Sequence, residues 1–410
     1  MKKNRDSHQA SGGIVITPTP QKTRMIERNN KMKKELSVSI DEITLVLLLA
    51  KESSTLDWNK NRKNMIQIFL DKSKLGELYG KIVQADKCLQ PGYTYSQIFP
   101  DKPFHFCISW HETFDNMGIC IHFSALAWAM YQTDFFRKYN KRTNVANFLR
   151  MVQSESYVTR LSRIDFVADY KNFPPSVSPD VIYRGLTEKR LTVRDCENRN
   201  LIRTKEGLNK EGRYHTIYLG SRKNHSRCFC RIYDKKIEQL QGVRSYYQEA
   251  ISCDSWIRHE VVFRQSYAQQ ITRELLENIH TEYELQSFIA QKITEKYRFY
   301  EKGFSEPTEY TKALLEIIGN QQFSRLRNPS PRDNDLKSSI NYLRNGSGLY
   351  PILYKISYIW GDDAGKKLLK LLYIEYEGKY KKEASKKEDI FLWLKKHQAS
   401  LKNENLEDYF

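Results

Sequence analysis

The segment Tyr214–Lys236, YHTIYLGSRKNHSRCFCRIYDKK, decides how the middle of this 410-residue chain folds. It reads as two strands joined by a turn at Lys223–Ser226. Successive side chains along a strand point to opposite faces, so Thr216, Tyr218 and Gly220 share one face. Across the turn, Arg231, Tyr233 and Lys235 likewise share one. Two tyrosines then stand beside an Arg and a Lys on one sheet surface, and Gly220 leaves room for a backbone or ligand to approach. A phenol among cations suits attack on a phosphodiester, because the positive groups favour phenolate and hold the phosphate. A half-buried strand pair gives the same alternation of aromatic and basic residues, so the neighbouring motifs must weigh between the two readings.

Two further strands flank this hairpin in sequence. In Thr159–Tyr170, TRLSRIDFVADY, a period of two sets Arg163, Asp165 and Asp169 on one face and Ile164, Phe166 and Ala168 on the other. In Ser255–Arg264, SWIRHEVVFR, Arg258 and Glu260 lie on the face away from His259 and Val261. Carboxylates on a central strand are costly to bury without partners, so they bind a cation or pair with one another. If these two strands are neighbours, Asp165 and Glu260 can converge on one hard divalent metal, for which oxygen ligands are appropriate.

A formal charge of +18 and a pI near 9.4 point to a polyanionic partner, nucleic acid before an anionic membrane. The basic residues are spread along the whole chain rather than gathered on one amphipathic helix, which argues against a membrane surface. The most apolar run, Ile43–Ala50, has strand length and is far too short to span a bilayer. No apolar run follows the basic N-terminus as a secretory signal requires. Seven cysteines, with Cys228 and Cys230 too close for ordinary zinc spacing, read as reduced thiols of a cytoplasmic protein.

Regular pattern begins at Ser37 with the strand SVSIDEITLVL, Ser37–Leu47. A helix over about 59–82, three strands between Tyr93 and Phe123 and helices at about 124–139 and 144–154 follow. The order then recurs from Thr159: a strand, a helix near 178–188, a strand at Leu191–Arg194, the hairpin, a helix at about 236–250 and the strand at Ser255–Arg264. Each half opens on a strand carrying Ile-Asp, Ile40-Asp41 and Ile164-Asp165. The expected fold is therefore α+β: two similar strand–helix–strand units forming an extended, mainly antiparallel sheet with flanking helices. Residues 1–36, with nine Lys/Arg against three Asp/Glu, form a basic arm expected to be flexible. The units run over 37–155 and 156–305, and a helical region covers 306–410, broken at Pro329–Pro331 and Gly346–Gly348. Within that region the Lys- and Tyr-rich stretch Lys366–Lys396 sets Leu368, Leu369, Leu371, Leu372 and Ile374 as a stripe to be buried. It reads equally as a helical cap with a solvated basic face and as a module touching DNA phosphates.

Taken together, TRLSRIDFVADY, TIYLGSRKNHSRCFCRIYDKKIE, WIRHEVVFR and the opening strand SVSIDEITLVL resemble the Rep_trans replication-initiator family over roughly residues 37–305. That family includes initiators of rolling-circle plasmids and the MOBT relaxases of integrative conjugative elements. The resemblance implies a nicking–joining, topoisomerase-like enzyme. It cuts one DNA strand at an origin duplex or hairpin, single-stranded at the nick, through a tyrosine joined to the 5′ end. On that resemblance Tyr218 is the expected nucleophile, with Tyr233 its rival and Tyr214 a more distant one. Asp165 and Glu260, with Asp169 as the third candidate, would hold Mg²⁺ or Mn²⁺, and Arg231 and Lys235 the scissile phosphate. A helicase, host replication proteins and a second copy of the chain are the implied protein partners, with no membrane insertion. The His-hydrophobic-His metal pair of the broader HUH class is missing, and His122 reads as a core histidine. The 36-residue arm is too short for the helix-turn-helix module that some relaxases carry, so initiator and relaxase both stay open. The competing function is a non-catalytic DNA-binding regulator that keeps the fold. A tyrosine recombinase is disfavoured, because the tyrosines lie mid-chain on strands and no His-x-x-Arg precedes them.

Overall fold

A computed structural model describes residues 24–26, 33–50, 57–100, 102, 105–194, 202–203, 215–223, 226–241, 245–301, 306–327, 336–384, 388–402, 405 and 407. Tyr214, the Pro329–Pro331 loop and most of the basic arm lie outside the described residues. The chain forms two compact units, one ending at Leu326 and the other beginning at Arg327.

The first unit opens with strands β1 (Arg24–Ile26) and β2 (Lys34–Leu49) and helices α1 (Trp58–Lys72) and α2 (Leu75–Tyr79). Strands β3 (Val83–Gln84), β4 (Tyr95–Ile98), β5 (Phe106–Trp110) and β6 (Ile119–Phe123) lead to α3 (Ala125–Tyr139) and α4 (Val145–Met151). The plan then recurs with β7 (Tyr157–Lys171), α5 (Pro179–Thr187), β8 (Leu191–Arg194), β9 (Ile202–Arg203), β10 (Thr216–Leu219) and β11 (Cys228–Asp234). Next come α6 (Lys235–Leu240), α7 (Tyr247–Ile251), β12 (Trp256–Arg264), α8 (Gln265–Glu277) and α9 (Glu282–Lys296). Strand β13 (Arg298–Glu301) and α10 (Glu309–Ile318) close the unit.

Among the described residues one sheet runs in the order β3-β4-β5-β6-β2-β7-β12-β11-β10-β9, with β1 on β2 and every pairing antiparallel. β8 and β13 pair separately. The two opening strands, β2 and β7, lie side by side at the centre, so the halves join into the extended antiparallel sheet that the alternation predicts.

Side-chain alternation sorts the sheet into two faces. On one, Ile164, Phe166, Ala168 and Tyr170 of β7 join Val261 and Phe263 of β12 and Ile217 and Leu219 of β10 in the core. Helices α8 and α9 pack over β7 on this side. Phe166 is fully buried, and burying one such side chain stabilises by about 2–3 kcal/mol. Local signals fix the helices: Ser178 caps α5 ahead of Pro179, and Thr281 and Glu284 close a reciprocal capping box on α9. The helix expected at 236–250 is instead two short helices, α6 and α7.

The second unit is helical: α11 (Leu336–Asn345), α12 (Leu349–Trp360), α13 (Asp362–Glu375), α14 (Lys381–Ala384) and α15 (Glu388–Leu401). A Cβ at Gly365 would meet Ser357 Oγ at 2.6 Å, so a glycine lets α13 approach α12 closely. The leucine stripe expected to be buried is open: Leu369, Leu371, Leu372 and Ile374 are exposed, as are Tyr354, Tyr358 and Trp360. A few short helices offer too little second layer to cover every apolar face. No helix among the described residues is long and apolar enough to cross a membrane.

Candidate functional site

The sheet face away from α8 and α9 carries the polar residues, and strand register arranges them in two rows. In the first, Arg203 of β9 pairs with Tyr218 of β10, Tyr218 with Arg231 of β11, Arg231 with Glu260 of β12, and Glu260 with Val167 of β7. In the second, Thr216, Tyr233, Arg258 and Asp169 stand opposite one another in turn. Neighbouring strands lie about 4.8 Å apart, so the Tyr218 and Glu260 backbones are roughly 10 Å apart, and both side chains leave the same face.

Asp165, 1% exposed, sits one step along β7 from Val167. Arg163 grips it with two bonds, Nε to Oδ1 at 2.9 Å and Nη2 to Oδ2 at 2.5 Å. The same guanidinium pairs with Glu42 of β2, and Arg231 Nη2 pairs with Glu260, itself 3% exposed. Asp165 and Glu260 thus come together as the sequence suggested, and Glu42 joins them. Burial pushes the Asp165 carboxyl well above its usual range against the pull of Arg163, and the charges of Glu260 and Glu42 add to the rise. Burial raises Glu42 as well, with Asp41 and Glu260 adding to the push. Glu260 holds Arg231 firmly protonated although burial opposes it. The Arg231 Nε is buried with no hydrogen-bond partner among the described residues. A buried donor left open in this way is unusual and awaits an acceptor.

Asp169 belongs to the other row. Arg258 donates to it from Nε at 2.7 Å and Nη2 at 2.8 Å, Trp256 Nε1 donates at 2.8 Å, and the third Arg258 nitrogen, Nη1, reaches Asp41 at 2.7 Å. Burial favours the protonated acid, but the charge and hydrogen bonds of Arg258 outweigh it and keep Asp169 below the ordinary range. Lys235 lies nearby, buried and paired with Glu238 at 2.7 Å; burial lowers its pKa, and so does Arg258. Tyr233 is buried, with Arg231 4.6 Å and Lys235 5.7 Å from its ring centroid. Burial drives its phenol pKa up despite the pull of Arg258. Tyr218 is half-buried, with the exposed Arg222 over its ring at 4.4 Å.

His122 is not in the apolar core. It stands half-buried at the margin of the acid cluster, its Nδ1 3.1 Å from Thr44 Oγ1 and 3.9 Å from Glu42. Burial, with help from Arg163, lowers its pKa to about 4.

Glu42, Asp41, Arg163 and Arg258 are the site residues to which sequence reasoning gave no role in binding. Asp41 and Glu42 are consecutive yet reach Arg258 and Arg163 on one face, because β2 is irregular between Ile40 and Ile43. A bulge of this kind turns two neighbours the same way and leaves no mark in the alternation.

The donor chemistry suits a hard cation. Three carboxylates crowd one place, two of them raised by burial first and by their acidic neighbours second, and a divalent ion relieves such an excess. In this arrangement their oxygens face Arg163 and Arg231. Among the described residues no three His, Cys, Asp or Glu side chains already enclose an ion position. A cation would therefore enter by displacing a guanidinium contact.

The structure of a rolling circle replication initiator protein from Geobacillus stearothermophilus is similar to 70% of this chain and 100% of its own, at TM-score 0.47 and 16% identity. No curated protein sequence matches. A family model described as replication initiation factor, Rep_trans, matches residues 159–372, from the start of the RIDFVAD strand into α13. That match spans more than half of the chain, which therefore belongs to the Rep_trans family of replication initiation factors.

Proposed function

We propose that this replication initiation factor nicks one DNA strand at an origin through a 5′-phosphotyrosine link on Tyr218. The observation that carries the reading is the row Tyr218–Arg231–Glu260, with Asp165 beside it: a phenol, a cation with an unused donor and a carboxylate pair on one polar face. The Tyr218 oxygen forms a bond to phosphorus as the bond to the 3′ oxygen breaks. The proton lost by the phenol equals the proton gained by the leaving 3′ hydroxyl, so no co-reactant is consumed. Reversal of the same exchange rejoins the strand.

Arg231 serves in two ways. Its Nη2 holds Glu260, and its open Nε faces a phosphate oxygen, a charge-assisted bond of the stronger kind. Arg222, over the Tyr218 ring, meets the approaching strand. Asp165, Glu260 and Glu42 would hold a divalent cation, which when bound neutralises charge on the attacked phosphate. Asp169 then keeps the Arg258 fork in place, and Tyr233 and Lys235 shape the wall beside it. Whether the origin belongs to a rolling-circle plasmid or a conjugative element is a property of the DNA the protein meets.

Incubation with a random single-stranded oligonucleotide pool and Mn²⁺, followed by mass spectrometry of DNA-linked peptides, tests this directly. The expected adduct maps to Tyr218 and disappears in Tyr218→Phe. Mn²⁺ should also raise the unfolding temperature of the wild type and not of Asp165→Asn. An adduct on Tyr233, or none while origin DNA binds unchanged in EDTA, would overturn the assignment and favour the non-catalytic regulator.

A further inference from the structure

We propose that a cavity on the helix-covered side of the sheet is a nucleotide site, taking one nucleoside monophosphate unit with its phosphate against Arg298 and Arg325. The cavity has a volume of about 550 Å³ and opens between α9, β13, α10 and the segment that follows α10. That is within the ordinary range for small-molecule sites. α9 packs on the apolar face of β7, so the cavity lies across the sheet from the Tyr218 row.

Charge selects an anion. Arg298 lines the cavity, and its Nε is buried without a hydrogen-bond partner among the described residues. Arg325, exposed, lines the rim. Glu295 is the carboxylate that lines the cavity, and it is already engaged: it accepts from the Leu326 N–H at 2.5 Å and from Lys292 Nζ at 3.2 Å. Two arginines therefore line the cavity beside one carboxylate that is already engaged, and guanidinium groups fork onto phosphate.

The rest of the lining suits a flat apolar body. Phe323 stands on edge to Phe288, with ring centroids 5.3 Å apart, and lines the cavity with Leu315 and Ile318. Gln291 spends both ends of its amide on the Phe323 backbone, at 2.8 and 3.1 Å. The exposed amide of Gln322 is then the polar group at hand for a base edge. Phosphate donors, a stacking wall and one amide together describe a nucleotide, either free or at the end of a strand.

Equilibrium dialysis of the full chain with deoxyadenosine monophosphate, deoxyadenosine, inorganic phosphate and a 5′-phosphorylated oligonucleotide tests the assignment. The monophosphate should bind below about 1 mM, more tightly than the nucleoside or phosphate alone. Arg298→Gln and Arg325→Gln should each weaken it about tenfold or more, while Arg231→Gln on the other face leaves it unchanged. Displacement by the oligonucleotide identifies a strand end as the occupant, and no displacement identifies the free mononucleotide. Arg325 is exposed, so an unchanged unfolding temperature of Arg325→Gln guards against misfolding. Absence of binding, binding that survives both arginine changes, equal binding of phosphate alone, or loss in Arg231→Gln would overturn the proposal.

Discussion

Tyr218 and Tyr233 leave the same hairpin on the same face, and register alone gives them different surroundings. Tyr233 is buried between Arg231 and Lys235 in the row of Arg258 and Asp169, with its phenol pushed away from ionisation. Tyr218 faces Arg231 from the outer strand and keeps partial access to solvent. Tyr233→Phe removes a hydroxyl but keeps the ring that the two cations cover, so nicking should stay within about tenfold of wild type, roughly 1.4 kcal/mol of barrier. A complete loss in quantitative cleavage assays would transfer the nucleophile to Tyr233. A second residue-level prediction concerns His259, which packs against Tyr170, Phe299 and Tyr310 on the apolar face. Burial lowers its pKa to about 4, against an ordinary value near 6.5. A depressed base contributes stability that is present above about pH 6.5 and lost as pH falls through the folded value. The full loss is on the order of 3 kcal/mol. His122 titrates in the same direction, so the comparison with His259→Phe isolates one residue. Denaturant unfolding of that variant should show a shallower acid limb, and identical limbs would show that His259 is not neutral in the fold.

At the scale of elements, two halves that each open on a long strand explain why the acids meet. The opening strands β2 and β7 pair with each other, so Glu42 of one half and Asp165 of the other arrive at one Arg163. Much of this was legible. Alternation in RIDFVAD and WIRHEVV let Asp165 and Glu260 converge on condition that their strands are neighbours, which they are, and the turn between Tyr218 and Arg231 set the hairpin register. What alternation cannot show is which cation claims which acid. Asp169 shares the face of Asp165 but is taken by Arg258 and Trp256, both from a strand distant in sequence. Glu42 replaces it only because β2 is irregular at that point. Helix α8 carries a stripe of Tyr267, Ala268, Ile271 and Leu275, in a stretch between Arg264 and the helical C-terminal region to which the sequence reading assigned no element. The end of β10 offers the element-level test. Gly220 has φ +89°, and a Cβ there would lie 3.2 Å from the Tyr297 hydroxyl, which donates to the Leu219 carbonyl at 3.2 Å. Gly220→Ala should cost about 1–2 kcal/mol from the left-handed backbone alone and shift the Tyr218 strand. Unfolding free energy and nicking rate should fall together; a neutral substitution would mean the strand end is not held by that contact.

For the whole molecule, a net charge of +18 makes DNA binding in general unsurprising, and bulk affinity is a poor test of where the strand lies. The salt dependence of binding is more discriminating, because each phosphate contact releases a condensed counterion. For single strands the slope of log affinity against log salt changes by about 0.7 per contact. Arg231 keeps an open Nε on the polar face, and Arg222 is exposed above Tyr218. Both should count, and Arg231→Gln and Arg222→Gln should each flatten the slope by about 0.7, by the same amount on every sequence. Lys312 on α10 carries the same charge and is exposed, but it is paired with Glu306 at 2.6 Å on the helical side. Lys312→Gln should leave the slope unchanged although it lowers the net charge by as much. If all three variants shift the slope equally, DNA responds to total charge and the polar face is not its track. If only the two arginines do, the strand passes over the row that joins Tyr218 to Glu260.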